Sequence, residues 1–449
     1  MRPQIQPHFL FNPLTAIAML CEKDPSLAKQ TAITFADYYR GNLRAIDRTE
    51  PIPFRQELEH LKMYLFIQKQ RFGDYLNVVF DVETTDFLIP ALSIQPLVEN
   101  AVKHGMNMIL TPIFTPPLDT EVGKERPTVQ LVKVNKHKGE YTFDFSDFER
   151  YVELCLNCGI EAFEISHFFT QWGASAAPKV IATVNGKEKR IFGWDTKASG
   201  KAYTEFLESF SKAFRKEVNK LGIKKRCWIH VSDEPNEEQI KSYTKAAEII
   251  RRLFPDFNSL DALSDIEYYR QGLIKTPVCC EEFADIFRAE VKNFWTYHCC
   301  CQSDDFLPNR FFSQPSQRNR ILGVLLYKYD AKGFLQWGHN FWYSQYSKYP
   351  IDPFKITDAG GSFPSGDSFV VYPGKDKKPL NSLRHSVFLD AMQDLRALRL
   401  LEKLTSRKYV LTLIEKDLDI PLTFKTYPHE QKWLLDLRAR VNEEIKNYI

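Results

Sequence analysis

The sequence predicts an α/β fold, a (β/α)8 TIM-like barrel preceded by a mostly helical N-terminal segment. From about residue 108 onward, strand-like runs alternate with amphipathic helices, the order a parallel sheet requires. Two of those helical stretches end on a glycine, Gly159 and Gly222, as helices that stop and turn back commonly do. Before residue 107 the apolar spacing is helical, with little strand signal.

The first helical runs are residues 14–20, 27–43 and 54–72. In the last, Leu58, Leu61, Leu65 and Phe72 make an apolar stripe, with Glu57 and Glu59 early and Lys69 and Arg71 late, the polarity that suits the helix dipole. A short strand-like piece at 77–83 follows. In the second part, 128–134 (TVQLVKV) reads as a strand and 145–159 as a helix. Residues 161–166 (EAFEIS) read as a strand, and 200–222 as a long helix. Residues 227–232 (CWIHVS) read as a strand, and 236–254 as a helix capped by Asn236. The runs SLDALSD, NFWTYHCC and KGFLQWG supply later strands, and 384–404 a strong late helix. The expected division is 1–107 helical segment, 108–405 barrel and 406–449 a helical tail packed on the barrel.

Composition narrows the function classes. The chain has 449 residues, with 60 Lys+Arg against 57 Asp+Glu for a net charge of +3, so it lacks the basic footprint of a nucleic-acid partner. No run approaches the ~20 apolar residues that span a bilayer, and the N-terminus does not read as a signal peptide. A cytoplasmic location is therefore expected. Nine cysteines, odd in number and unevenly spread, favour a reducing compartment over a disulfide framework. Cys155-x-x-Cys158 reads as helix packing and the triplet Cys299–Cys301 as buried small hydrophobes. Neither HExxH nor a paired Cys/His ligand set appears, so no metal is expected.

In the first segment, QIQPHFLFNPLTAI is followed by IPALSIQPLVENAVKHG. These motifs resemble the phosphoacceptor and N-box regions of the sensor histidine kinases that regulate cell-wall and metabolite responses in bacteria. The resemblance implies that His8 is the phosphoacceptor and that Asn100, with Lys103 beside it, meets magnesium and nucleotide. It departs from the family after the N-box, where a glycine-rich ATP lid with a D-x-G-x-G motif should follow. The nearest echo, Asp358-Ala-Gly-Gly-Ser-Phe, lies far downstream and lacks the final glycine. The segment is expected to be a truncated, vestigial kinase fragment. ATP and Mg²⁺ would be cofactors only if it were complete, and a homodimer through its helices is compatible with it. Its junction with the barrel, without a linker, reads as a gene fusion or an assembly artefact.

In a barrel the chemistry sits where strands pass into βα loops. The conspicuous strand end here is Trp228-Ile-His-Val-Ser-Asp233-Glu234-Pro235. Neighbouring carboxyls repel each other's charge, so one can keep its proton near neutral pH and act as a general acid. By spacing alone, Asp233 and Glu234 fit equally well as acids at a helix N-terminus. Trp172, Trp194, Trp337, Trp342 and Tyr343 offer flat apolar faces for a ligand ring, and His167 and Asn340 hydrogen-bonding partners. Trp172 and Trp337 each sit beside a glycine. His230, inside the strand, reads as a satisfied core histidine, with Glu164 and Asp265 as secondary candidates.

The stretches TPPLDTEVG, FEISHFFTQWGA, HVSDEP, RNRILGVLLYKYDAKGFLQWGHNFWYSQ, SGDSFVVYPG and LRHSVFLDAMQDLRALRLLE resemble the bacterial β-N-acetylgalactosaminidase family of glycoside hydrolases and its uncharacterised relatives. The resemblance covers residues ~110–440. It implies a glycan substrate, no cofactor, and substrate-assisted cleavage through the Asp-Glu pair matched by Asp233-Glu234. Asp233 would orient the 2-acetamido group, Glu234 would protonate the leaving oxygen, and Tyr297 would support the oxazolinium ion. Phosphotransfer or dimerisation through His8, and carbohydrate binding without turnover, are the alternatives from other classes.

Overall fold

The structure, a computed structural model, describes residues 24–46, 52–72, 88–89 and 106–448 except 304–305 and 375–378, together with scattered positions between 14 and 21. His8, Asn100 and Lys103 lie outside the described residues. The chain divides into two compact units, Met1–Lys103 with Leu154–Ile160, and His104–Glu153 with Glu161–Ile449. No helix among the described residues is long and apolar enough to cross a membrane.

In the first unit, α1 (Pro25–Ile46) leads through β1 (Ile52–Pro53) into α2 (Phe54–Phe72), and β2 (Leu88–Ile89) pairs antiparallel with β1. Asp24 caps α1 by accepting the Leu27 N–H at 2.9 Å, and Pro25 occupies the first helical position, where its missing N–H costs nothing. Leu58, Leu61 and Leu65 of the expected stripe are buried. Leu61 and Leu65 share a core with Tyr38, Tyr64 and Ile67, and the Tyr38 ring stacks on His60 at 4.7 Å.

The second unit runs through β3 (Met108–Thr111), β4 (Lys133–His137), β5 (Glu140–Asp144), α3 (Ser146–Asn157) and β6 (Ala162–Ile165). It continues with β7 (Val180–Val184), β8 (Lys187–Phe192), α4 (Lys201–Lys220), β9 (Cys227–Ile229), α5 (Ile240–Leu253) and β10 (Asn258–Leu263). Then come α6 (Glu267–Arg270), β11 (Thr276–Cys280), α7 (Ala284–Glu290), β12 (Trp295–His298), α8 (Ser316–Arg320), α9 (Leu322–Tyr329) and β13 (Gly333–Gln336). The hairpin β14 (Val371–Pro373) and β15 (Pro379–Asn381) precedes α10 (Leu383–Leu404), α11 (Arg407–Glu415) and α12 (Gln431–Lys446).

Seven strands form one sheet in the order β13-β12-β11-β10-β9-β6-β3, every neighbouring pair parallel. It is curled like part of a barrel. Its edges β3 and β13 are not paired with each other, so the described strands make an open seven-stranded sheet rather than the closed eight-stranded barrel expected from the sequence. Where an eighth strand would fall, residues 337–370 are broken by Pro350, Pro353, Pro364 and Gly360-Gly361. That segment pairs only through isolated bridges such as Asn340 with Phe369, as proline and glycine dictate.

Residues 128–134, expected as a barrel strand, instead lead into β4 of a second sheet ordered β5-β4-β7-β8. Only Val134 and, in part, Lys136 are covered in β4, the pattern of a strand half open to water. The abundant phenylalanines explain this insertion. On α4, Tyr203, Phe206, Leu207, Phe210, Phe214 and Val218 are buried at helical spacing. Phe210 meets Phe114 at 4.8 Å and Phe143 at 5.4 Å, so one helix seals both sheets.

The late helices pack tightly. A Cβ on Gly323 of α9 would lie 1.9 Å from the Ala391 carbonyl of α10, so only glycine permits that approach. Asp394 of α10 is buried and accepts from Arg320 of α8 and Arg438 of α12, each at 2.7 Å.

Candidate active site

All seven strands run in the same direction, so their C-terminal ends share one edge of the sheet. Beyond β9 the chain passes through His230, Val231 and Ser232 to Asp233 and Glu234. One buried carboxylate organises that turn. Asp261 of β10 accepts the Val231 N–H at 3.1 Å and the Ser232 N–H at 3.4 Å. It also lies 2.9 Å from His230 Nδ1 and accepts the Tyr243 hydroxyl from α5. The next two residues are fixed from either side, because Trp172 N–H donates to the Asp233 carbonyl at 2.9 Å and Glu234 N–H to the Ala262 carbonyl at 3.0 Å.

Glu234 itself adopts a left-handed backbone, φ 42°, a conformation that costs a non-glycine residue of order 1 kcal/mol and persists only where the surroundings enforce it. The Tyr297 hydroxyl of β12 donates to Glu234 Oε1 at 2.5 Å. The acids at the helix N-terminus are different residues. Asn236 forms a capping box with Gln239, and Glu237 and Glu238 fill the first turn. Asp233 and Glu234 precede that cap and are committed to the strand end.

Burial sets the electrostatics. Asp233 and Glu234 keep some exposed area but are densely surrounded by protein. Desolvation raises the Asp233 carboxyl well above the ordinary range, the Glu234 charge raises it further, and His230 opposes both. Glu234 is raised first by desolvation, against the Tyr297 hydrogen bond. Beneath them His230 has Asp261 on Nδ1 and Glu164 Oε1 2.9 Å from Nε2. The Glu164 contact is an ion pair set off the line of a good hydrogen bond. Desolvation disfavours the imidazolium, yet the two carboxylates outweigh it and lift His230 to about 10.

His167 stacks on that ring at 4.0 Å. It is buried with neither nitrogen hydrogen-bonded, and burial followed by the His230 charge holds it well below its usual range. Among the described residues two groups bring metal-ligand atoms within 4.8 Å of one another, His167/His230/Asp261 and Cys299/Cys300/Cys301. In the first group His230 is already held by Asp261 and Glu164, and His167 only stacks on it. The cysteines, expected as buried packing, are instead half-buried at Cys299 and Cys300 and exposed at Cys301.

The other sequence-derived candidates divide by position. Tyr297 and Trp172 reach the pair directly. Trp337 follows β13 and packs against Phe341 and Phe363 at 5.6 and 5.4 Å. Asn340, Trp342 and Tyr343 lie on the same 337–370 segment. Asn340 is exposed, Trp342 is tied by its indole N–H to the Val371 carbonyl at 3.0 Å, and Tyr343 bridges to Pro350. Trp194 follows β8 in the inserted sheet, away from the seven-stranded sheet that carries the carboxylate pair. Asp265 accepts the Glu267 N–H at 2.9 Å as a local cap.

One residue escapes the sequence reading. Asp367, in the loop that closes over β13, is fully buried, with neither carboxylate oxygen hydrogen-bonded. Desolvation raises it to about 6, opposed by the Arg310 guanidinium and the nearby Trp337 indole. That indole N–H faces the Asp367 carboxylate off the line of a good hydrogen bond, and the Gln336 amide and Ser368 hydroxyl are buried without a partner of good geometry. Asp367 lies in the segment that leaves the C-terminal end of β13, the edge of the sheet that also carries the turn of Glu234 beyond β9. Unpaired buried polar groups gathered near a carboxylate pair are what a polar ligand would satisfy. The only sequence signal is an acid inside SGDS, a common loop composition.

A family 123 glycoside hydrolase from Clostridium perfringens superposes with a TM-score of 0.53 at 15% identity, over 78% of this chain and 62% of that one. The N-terminal part is 42% identical over 107 residues to the sensor histidine kinase YpdA of Escherichia coli. That match takes in 24% of this chain and 19% of YpdA. Another, also 42% identical, is to the uncharacterised protein YwpD of Bacillus subtilis over 24% of this chain and 39% of that one. The histidine kinase family model matches residues 1–76. The model described as glycoside hydrolase 123, catalytic domain, matches residues 91–401. With well over half its length inside that match, and the carboxylate pair within it, the chain belongs to the glycoside hydrolase 123 family, fused to an N-terminal histidine kinase segment.

Proposed function

We propose that the protein hydrolyses terminal β-linked 2-acetamido sugars, N-acetylgalactosaminides among them, by substrate assistance. The observation that carries this reading is the pair Asp233-Glu234 held past β9, with Glu234 turned by its left-handed backbone onto the Tyr297 hydroxyl. The substrate's acetamido oxygen attacks the anomeric carbon as the glycosidic C–O bond breaks, and Glu234 gives its proton to the leaving oxygen. Asp233, drawn toward its ionised form by the His230 cation against burial and the Glu234 charge, accepts the acetamido N–H and offsets the positive oxazolinium. Glu234 then takes a proton from water, which adds to the anomeric carbon and reopens the ring. Substrate-assisted enzymes need no second carboxylate set across the sugar, so adjacency suits the chemistry. Asp367 and the Trp337 indole supply an acceptor and a donor for sugar hydroxyls. Trp172 and Trp337 supply stacking faces.

Glu234→Gln is expected to lower kcat on a chromogenic β-N-acetylgalactosaminide by at least ~100-fold, the usual contribution of a positioned general acid. Undiminished turnover ends the reading. Phosphotransfer through His8 is a separate role, supported by the match at residues 1–76. It predicts acid-labile radiolabel on the chain from ATP or a partner kinase, absent in His8→Gln.

A further inference from the structure

Cys299, Cys300 and Cys301 follow β12 directly, at the same edge of the sheet as Asp233 and Glu234. Their sulfurs all lie within 4.8 Å of one another, with Cys300 and Cys301 at 3.8 Å. Thiolates bound to one ion at ~2.3 Å sit roughly 4 Å apart, so the three are already near ligating separation. The turn that gathers them is held without help from the sulfurs. Cys299 N–H donates to Gln302 Oε1 at 2.9 Å, and Gln302 N–H returns to the Cys299 carbonyl at 3.2 Å. The buried Asn309 amide donates to the Cys299 and Gln302 carbonyls, both at 3.0 Å. Exposure increases along the triplet, Cys301 being open to solvent, so an ion has a way in.

We propose that Cys299, Cys300 and Cys301 form a binding site for a soft metal cation, a copper(I) or zinc-group ion, beside the Asp233-Glu234 pair. An all-sulfur donor set selects such ions over the hard cations that carboxylates prefer. Each ligating thiol releases its proton to water. A divalent ion and three thiols give a tris-thiolate anion and three protons, with no electron transferred. An ion there occupies space next to Glu234 and suppresses glycoside hydrolysis, a consequence that rests on the function proposed above.

The probe is Cd²⁺, titrated into the reduced full-length protein. One equivalent is expected to produce the thiolate-to-cadmium charge-transfer band and to shield three thiols from a thiol-reactive dye. Loss even of groups outside the coordination sphere weakens metal sites ~10–100-fold, so C299S, C300S and C301S should each weaken binding at least ~10-fold. C21S, at an exposed cysteine elsewhere, should leave it unchanged. Circular dichroism of each variant separates lost ligands from lost folding. A triple serine variant that folds and keeps the band, or shielding of two thiols or fewer, overturns the site. Cd²⁺ should also inhibit the wild type and spare the triple variant. A full band without inhibition overturns the inhibitory consequence alone. A wild type that hydrolyses no 2-acetamido sugar overturns the functional reading, while the absorption band still decides the metal site.

Discussion

Above about pH 6 the folded protein holds an ionised Asp367 with neither oxygen hydrogen-bonded. A folded pKa raised from 3.8 to about 6 contributes stability that is complete below the unfolded value and is lost as pH rises through the folded one. Asp367→Asn is therefore expected to raise Tm above pH ~6, by up to about 3 kcal/mol of stability, with the gain fading below pH ~4. The same change should raise KM for the sugar, since a hydroxyl acceptor is lost. A variant that gains no stability at high pH, or binds sugar as before, removes Asp367 from the site. His230 works in the opposite sense. Its cation, held to about 10 by Asp261 and Glu164, lowers the Asp233 carboxyl. His230→Gln should move the acid limb of the kcat/KM profile to higher pH, while an unmoved limb would show that Asp233 does not need that charge. Asp367 was invisible in the sequence because a single acid in a Gly/Ser loop carries no spacing. Asp233-Glu234 was visible because it ends an apolar strand. Spacing fits the pair equally well to chemistry or to a helix N-terminus, and only the fold shows that Asn236, Glu237 and Glu238 fill that terminus instead.

At the scale of elements, the strands best read from sequence were those with β-branched or aromatic alternation and a clear stop. CWIHVS and EAFEIS became β9 and β6 in adjacent, parallel register, Phe163 opposite Cys227. β11 was missed because Thr276-Pro-Val-Cys-Cys places a proline inside the run, and proline is a poor strand signal. In the sheet it is tolerated at a position paired with Asp261. β3 was missed because Met108–Thr111 is short and runs at once into prolines. TVQLVKV was placed in the wrong sheet, since alternation announces a strand but not its partner. Helix α4 was legible in full, and its phenylalanine ladder carries a prediction. Phe210 touches the rings of Phe114, Phe143 and Phe168, so Phe210→Ala should cost ~3–5 kcal/mol. Chemical denaturation should register that loss. A loss below ~1 kcal/mol would mean the inserted sheet is not sealed by this helix.

At the scale of the whole molecule, each unit has its own apolar core. In the first it is built around Tyr38, Leu61, Tyr64, Leu65 and Ile67. In the second, one cluster joins Leu260, Ala262, Val278, Cys280 and Tyr297 across adjacent strands. Chains with separate cores need not unfold in one cooperative step, and changes in sites without shared partners add independently. Differential scanning calorimetry of the intact chain is therefore expected to show two transitions. Leu61→Ala, deleting a buried side chain of the first core, should lower one of them by the equivalent of ~2–5 kcal/mol and leave the other in place. Phe210→Ala should do the reverse, and hydrolysis should be lost with the transition that Phe210→Ala moves. A single transition shifted by both variants would mean that the kinase segment and the hydrolase domain fold as one cooperative body, and that removing the N-terminal helices would also remove the glycosidase.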